Sequence, residues 1–237
     1  MKVMTFNVQH CYNYILEKVD YEMLASEIKS VDADVVGLNE IFSGDETSLY
    51  GNQIEKIAKL SGYPYFYFAK AIELEKGPYG NAVLSKIPFE TIETIVVPSP
   101  KENKKNPDGY YETRCLLVAK LVNGKKIIIT HFGLNEDEVE KEITVLINYL
   151  DSSNCIFMGD LNSLFDDEIL TPIKDVMKDA AEGFCQNVMT FPSFDPKIKI
   201  DYIFVSPDLT VKNAYVLEKV LSDHFAHIAV VEDYKSV

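Results

Sequence analysis

Residues 155–162 read Cys155-Ile156-Phe157-Met158-Gly159-Asp160-Leu161-Asn162. An unbroken apolar run, rich in residues that favour strands, stops on a glycine and an acid. This is the pattern of a buried strand ending in a turn. The same pattern recurs along the chain. Val3–Phe6 leads to Asn7, Val35–Leu38 to Glu40, and Ile127–Thr130 to His131. Strand ends gather along one edge of a sheet, so these side chains can meet in one pocket. Farther on, Lys199-Ile200-Asp201-Tyr202-Ile203 and Ser222-Asp223-His224 add two acids and a histidine. Taken singly, each element has a plain structural reading. Asp160 could belong to a turn, Glu40 to solvent, His131 to a hydrogen-bonded core position, and Asp223-His224 to a strand cap.

Between these runs lie helical patterns. Leu24, Ile28 and Val31 recur at i, i+4 and i+7, which predicts an amphipathic helix over residues 20–31. Ile54, Ile57 and Ala58 predict a second, closed by Gly62. Val139, Ile143, Leu146 and Leu150 form the clearest stripe, and Asn135 with Glu138 can build its capping box. Further strands are expected at 34–38, 81–85, 115–121, 200–205, 214–217 and 225–231. Many strands and few helices do not fit a parallel, doubly wound sheet. Two packed mixed sheets with helices outside fit better. No composition break marks a linker, so a single domain over 1–237 is expected.

The bulk composition agrees. With 47% hydrophobic residues in 237, the chain can bury a large core. Its 23 basic and 37 acidic residues leave a net charge of −14. That field repels polyanions at a distance and disfavours a nucleic-acid partner without excluding it. A bound divalent metal would invert the charge locally. The cysteines, at 11, 115, 155 and 185, share no CxxC spacing. Cys115 and Cys155 sit in apolar runs and read as buried free thiols. Met1–Asn7 reads as a strand and lacks the apolar core of a signal peptide. No apolar run reaches membrane-spanning length. A cytoplasmic monomer is expected.

The motifs gain meaning from their order. Phe6-Asn7, Leu38-Asn39-Glu40, Gly80-Asn81-Ala82-Val83-Leu84-Ser85, Thr130-His131, Gly159-Asp160-Leu161-Asn162, Asp201-Tyr202-Ile203 and Ser222-Asp223-His224 together resemble the endonuclease/exonuclease/phosphatase superfamily. They run from residue 6 to residue 224. The resemblance implies an α/β (α+β) fold: the DNase I-like four-layer α/β/β/α sandwich. It also implies metal-dependent hydrolysis of a phosphoester. Glu40 then stands as the main metal ligand, with Asp223 as a second carboxylate and Asn7 supporting the metal shell or the substrate. Three acids and two amides without clustered thiols favour Mg²⁺, with Mn²⁺ as a substitute. Asp160 would orient or deprotonate the attacking water. Asn162, two residues on and on the same side of an extended segment, would donate to that water or to a phosphate oxygen. Asp201 would fix the tautomer of His224, which serves as base or as phosphate-binding cation. His131 would act as general acid or charge stabiliser. Arg114, in Glu112-Thr113-Arg114, is either a phosphate contact or a surface arginine paired with a nearby acid. Gln9 stands where some nucleases carry an acid, which argues against a second metal contact there. His227 reads as structural, and His10 has no assigned role.

Substrate choice belongs to the loops. Residues 41–52, 70–80, 98–113 and 163–196 are the candidate walls. Lys101–Lys105 is either a solvated loop or a grip for an anionic leaving group. Tyr79, Tyr110 and Tyr111 could stack on a base or sugar, or could simply pack. There is no basic stripe with interleaved aromatics. The expected substrate is therefore a small-molecule or lipid-headgroup phosphoester, cleaved by a phosphodiesterase or phosphatase. The competing readings are a Mg-dependent endo- or exonuclease on DNA or RNA, and a catalytically inactive binding module on the same fold. A serine hydrolase is poorly supported, because no G-x-S-x-G occurs.

Overall fold

The protein is described from a computed structural model covering residues 1–44, 50–102, 104–184 and 188–233. Parts of the expected walls (45–49, 103 and 185–187), Cys185 and residues 234–237 of the expected domain lie outside the described residues.

In chain order the elements begin with β1 (Lys2–Asn7), β2 (Tyr12–Asn13), β3 (Lys18–Val19), α1 (Tyr21–Val31), β4 (Val35–Phe42) and α2 (Gln53–Ser61). There follow β5 (Tyr65–Leu74), β6 (Gly77–Ser85), β7 (Phe89–Val97), β8 (Arg114–Leu121), β9 (Lys126–His131) and α3 (Glu136–Leu146). The last are β10 (Cys155–Asp160), α4 (Thr171–Lys174), β11 (Lys178–Asp179), β12 (Asp201–Val205), β13 (Leu209–Leu217) and β14 (Ala226–Asp233).

Among the described residues the strands form two six-stranded mixed sheets, ordered β13-β14-β1-β4-β6-β5 and β11-β12-β10-β9-β8-β7, plus the small β2–β3 hairpin. Side chains such as Val3, Val35 and Val83 from the first sheet meet Leu117, Ile129, Ile156 and Ile203 from the second. On the outer face of the first sheet, Leu24, Ile28, Ile54 and Ile57 of α1 and α2 pack against Met4, Val36 and Leu38. On the outer face of the second, Val139 and Ile143 of α3 and Ile173 of α4 pack against Ile128, Phe157 and Phe204. This is the expected four-layer sandwich. Among the described residues no helix is long and apolar enough to cross a membrane.

Local chemistry explains the helix ends. Asp20 caps α1 by accepting from the Met23 N–H at 2.9 Å. Asn52 caps α2, and Gly62 ends it in the left-handed region. The Asn135–Glu138 box opens α3 as expected. One expectation needs correcting. Leu150 is not on α3, which stops at Leu146; it packs from the following segment against the same outer cluster. The strands β5 and β7 were not anticipated. Each is an edge strand, partly exposed along its length; polar residues interrupt β7, whereas β5 opens with the unbroken run Tyr65–Ala69.

Candidate active site

The pairing register assembles the centre. Parallel pairing of β9 with β10 and antiparallel pairing of β10 with β12 set His131, Asp160 and Asp201 in one row. In the facing sheet, β1 and β4 set Asn7 beside Asn39. Strict alternation would send Asn39 and Glu40 to opposite faces. A bulge between Leu38 and Ile41, with Glu40 in the left-handed region at φ 60°, breaks that alternation. Asn39 then stays between the sheets while Glu40 reaches the pocket. Gly159, at φ 151°, lets β10 approach β9: a Cβ there would lie 1.9 Å from the Thr130 carbonyl oxygen.

Asp160 is the hub. Its Oδ2 accepts from Asn7 Nδ2 at 3.0 Å and faces His131 Nε2 at 3.5 Å and His224 Nε2 at 3.6 Å. Its Oδ1 accepts from the Asn162 N–H at 3.0 Å. Asn162 is not extended, as its spacing from Asp160 had suggested. Its φ of 45° folds the chain back, and that turn is what allows its N–H to hold Asp160. His224 Nδ1 lies 2.8 Å from Asp201 Oδ2, and the ring of Phe191 packs on it at 4.8 Å. Thr190 Oγ1 accepts from the Asp201 N–H and fixes that strand end.

Asn7 also donates to Glu40 Oε1 at 3.0 Å, while its own oxygen accepts from the Gln9 N–H. As placed, it therefore offers its nitrogen to the two carboxylates, and not an oxygen to a cation. Gln9 in turn donates to Asp223 Oδ2 at 3.0 Å. Arg114 is not at the surface: it is buried, with Nη1 2.9 Å from Glu112 Oε1 and 3.3 Å from His131 Nδ1.

Several of these groups face a pocket of about 720 Å³, while Asn7 and Asp201 lie behind its lining. Glu40, Arg114, His131, Asp160, Asn162, Asp223 and His224 line it. So do Tyr79 and Tyr110, whereas Tyr111 bonds to Asp137 on α3 instead. Lys105 is engaged by Glu136 and Glu140, so its end of the lysine cluster serves α3. His227 is buried in β14. Cys11, Cys115 and Cys155 are buried and free.

Burial dominates the electrostatics. It pushes the Asp160 carboxyl up; His224 opposes this and Asp201 adds to it. Burial alone would lower His224, yet the carboxylates of Asp201 and Asp160 outweigh it and raise the imidazole, holding it cationic. Burial and then the Arg114 charge hold His131 well below the usual histidine range, so it is neutral. Burial also raises Asp223, which His224 counters and Glu40 reinforces.

Several participants had no role in the sequence reading. Asn39 donates to Asn81 Oδ1 and to the Thr130 carbonyl and accepts from the Asp160 N–H, joining the two sheets under the site. Its signal was available: a polar residue inside an apolar run needs partners. His10 lines the pocket, with Nδ1 3.3 Å from the Glu40 carbonyl. Gln9, His10 and Cys11 are consecutive left-handed residues, a turn with no glycine to announce it.

The chain is similar to known proteins over nearly its whole length. The uncharacterized protein YbhP of Escherichia coli is 25% identical over 226 residues, covering 86% of this chain and 84% of its own. The crystal structure of an endonuclease/exonuclease/phosphatase from Beutenbergia cavernae superposes with a TM-score of 0.81 at 21% identity, over 98% of this chain and 71% of that one. A mannosyl-6-phosphatase of Bacteroides thetaiotaomicron does so with a TM-score of 0.77 at 18% identity, over 98% and 99%. The profile of the Endonuclease/Exonuclease/phosphatase family matches residues 4–224, and the chain belongs to that family.

Proposed function

We propose that this chain is a divalent-metal-dependent phosphoesterase, one catalytic domain over residues 1–237, acting on a small-molecule or lipid-headgroup phosphoester. The observation that carries the reading is Asp160: a buried carboxylate held by two amide donors and flanked by two histidines, one neutral and one cationic.

The residues suit a hard cation. Glu40 and Asp223 face one pocket, and among the described residues neither has a lysine or arginine partner. Two such acids repel each other, and a divalent ion with oxygen preference relieves that repulsion. Asp160, Asp201 and His224 also bring ligand atoms within 4.8 Å of one another. The 2.8 Å contact between His224 and Asp201 is a hydrogen bond, however, so this trio reads as an acid–base array. Glu40 and Asp223 would hold the ion, with Asn7 and Gln9 orienting them. When bound, Mg²⁺ would supply charge neutralisation at the phosphoryl oxygens.

The chain's own residues do the rest. Asp160, raised by burial, accepts the proton of the attacking water. Asn7 and the Asn162 N–H hold the carboxylate in place for that transfer. His224, kept cationic by Asp201, offers Nε2–H to a phosphoryl oxygen. Neutral His131 offers a hydrogen bond at the leaving oxygen. The pocket volume suits a small ligand, and the net charge of −14 disfavours a long polyanion.

A substrate panel with metal titration tests this. It should cover bis(4-nitrophenyl) phosphate, sugar and inositol phosphates, nucleotides, lipid-headgroup diesters, DNA and RNA. Mg²⁺-dependent turnover of a small ester is expected, and chelation should abolish it. Asp160→Asn and His224→Ala should each lower kcat by about 100-fold or more with the fold intact. Plasmid nicking that outpaces every small ester would transfer the reading to a nuclease. Near-normal rates in either variant would remove the site assignment. Silence across the panel with Mg²⁺, Mn²⁺ and Ca²⁺ would favour a binding module.

A further inference from the structure

His131 stands between two hydrogen-bond donors. Arg114 Nη1 is 3.3 Å from its Nδ1, and Asn162 Nδ2 is 3.2 Å from its Nε2. A neutral imidazole accepts at one nitrogen only. Turning the amide over does not resolve the conflict, because Asn162 Nδ2 also donates to the Phe132 carbonyl at 2.9 Å. The reversed amide would set oxygen against oxygen. One of the two donors must therefore go unaccepted.

The charges choose which. A guanidinium has no acceptor atom and keeps its proton. Its bond to a ring lone pair is charge-assisted, about twice as strong as a neutral amide's. Asp160 acts in the same direction: Oδ2 lies 3.5 Å from Nε2, where it attracts a hydrogen and repels a lone pair.

We infer that Arg114, clamped by Glu112, is a positioning residue that holds His131 as its Nε2–H tautomer, so that the neutral ring presents a donor to the pocket. The catalytic consequence rests on the phosphoesterase reading; the tautomer itself does not. The clamp is built in depth. The Glu112 and Arg114 side chains are only 6% and 7% exposed. Tyr110 donates to Glu112 Oε2 at 2.7 Å, and Glu138 of α3 accepts from the Glu112 N–H at 2.9 Å. Arg114 cannot swing to a substrate without leaving Glu112 buried and unpaired, a strongly destabilising state. The role of phosphate contact passes to His224, and Arg114 sets the polarity of its neighbour.

The test begins on the full-length chain labelled with ¹⁵N-histidine, without substrate. A long-range ¹H–¹⁵N correlation near neutral pH should show His131 protonated on Nε2, with a His131→Gln variant assigning the signal. A native chain with His131 protonated on Nδ1 overturns the inference outright. Arg114→Met should shift the ring toward Nδ1–H, since the Asn162 amide then finds its acceptor. On bis(4-nitrophenyl) phosphate with Mg²⁺, that variant should lose about 10- to 100-fold in kcat, with KM held within about threefold. Glu112→Gln should show the same split, more weakly, and it stands in if Arg114→Met does not fold. A rise in KM with kcat retained would place Arg114 on the substrate and overturn the positioning role. If the native enzyme hydrolyses no phosphoester, the functional reading fails while the spectrum still decides the tautomer.

Discussion

Replacing Asn39 with alanine should cost the protein several kcal/mol and most of its activity together. Asn39 is fully buried and makes three hydrogen bonds: to Asn81 Oδ1 and the Thr130 carbonyl at 2.8 Å each, and from the Asp160 N–H at 3.1 Å. Alanine keeps none of them. It strands an amide oxygen, a carbonyl and an N–H between the two sheets. Each orphaned group costs about 1–3 kcal/mol. Water entering the space recovers part of that, so the loss should be roughly 3–6 kcal/mol. With a urea slope of about 3 kcal/mol per molar, the unfolding midpoint falls by about 1–2 M. Equilibrium urea unfolding followed by far-UV circular dichroism measures this directly. Asn39→Asp is a sharper probe of the same bonds. It keeps an acceptor for the Asp160 N–H but sets a second acceptor against the Thr130 carbonyl, so its loss should be at least as large. A midpoint shift below about 0.3 M for Asn39→Ala, at unchanged slope, would refute the reasoning.

Three further outcomes are expected. Gly159→Ala would place its Cβ 1.9 Å from the Thr130 carbonyl oxygen; it should destabilise by more than about 3 kcal/mol and yield little folded protein by size-exclusion chromatography. Burial raises the Glu142 carboxyl from 4.5 to about 8. The folded state then keeps a proton that the unfolded state loses above pH 4.5, so stability falls as pH rises through that window and levels off above about 8, by up to about 1.4 kcal/mol per pH unit. Urea midpoints should fall less steeply with rising pH in Glu142→Gln than in the native chain, the remaining slope coming from the raised carboxyls of Asp160 and Asp223. Finally, Mg²⁺ should raise Tm by preferential binding to the folded state. Glu40→Gln should abolish most of that gain, and an equal gain in the variant would remove Glu40 from the ion's seat.

The strand-terminal pattern of Asn7, Glu40, His131 and Asp160 was legible because buried strands are apolar and a polar stop interrupts them visibly. Its geometry was not. Nothing in Leu38-Asn39-Glu40 announces the bulge that turns adjacent residues to one centre, since a left-handed glutamate has no propensity signal. Asp160 and Asn162 share the site for a reason other than alternation: the turn at Asn162 closes back on the acid. Arg114 was placed by order alone, which left a phosphate contact and a surface arginine paired with an acid both open; the structure shows a buried pair with Glu112 instead. That burial depends on Glu112, just before β8, and on Glu138 of α3, which are far apart in the sequence. The edge strand β7 was missed because Glu90, Thr91 and Glu93 interrupt its apolar pattern, whereas the run Tyr65–Ala69 of β5 was a strand signal available in the sequence.

The pairing of β1 with β14 bears on how the protein is made. β1 lies between β4 and β14, and the first residue bonds to Val231 across 230 positions. On the ribosome, β1 and β4 emerge before β14, and one side of β1 stays unpaired until β14 is translated. That side is the open edge of Lys2–Thr5, with Val3 and Met4 on it, the kind of edge that recruits chaperones or other nascent chains. Asp223 and His224 arrive only just ahead of the strand that closes it. A chain that ends before Asp223 therefore lacks both its seal and two residues of the pocket, and acquires them at nearly the same moment.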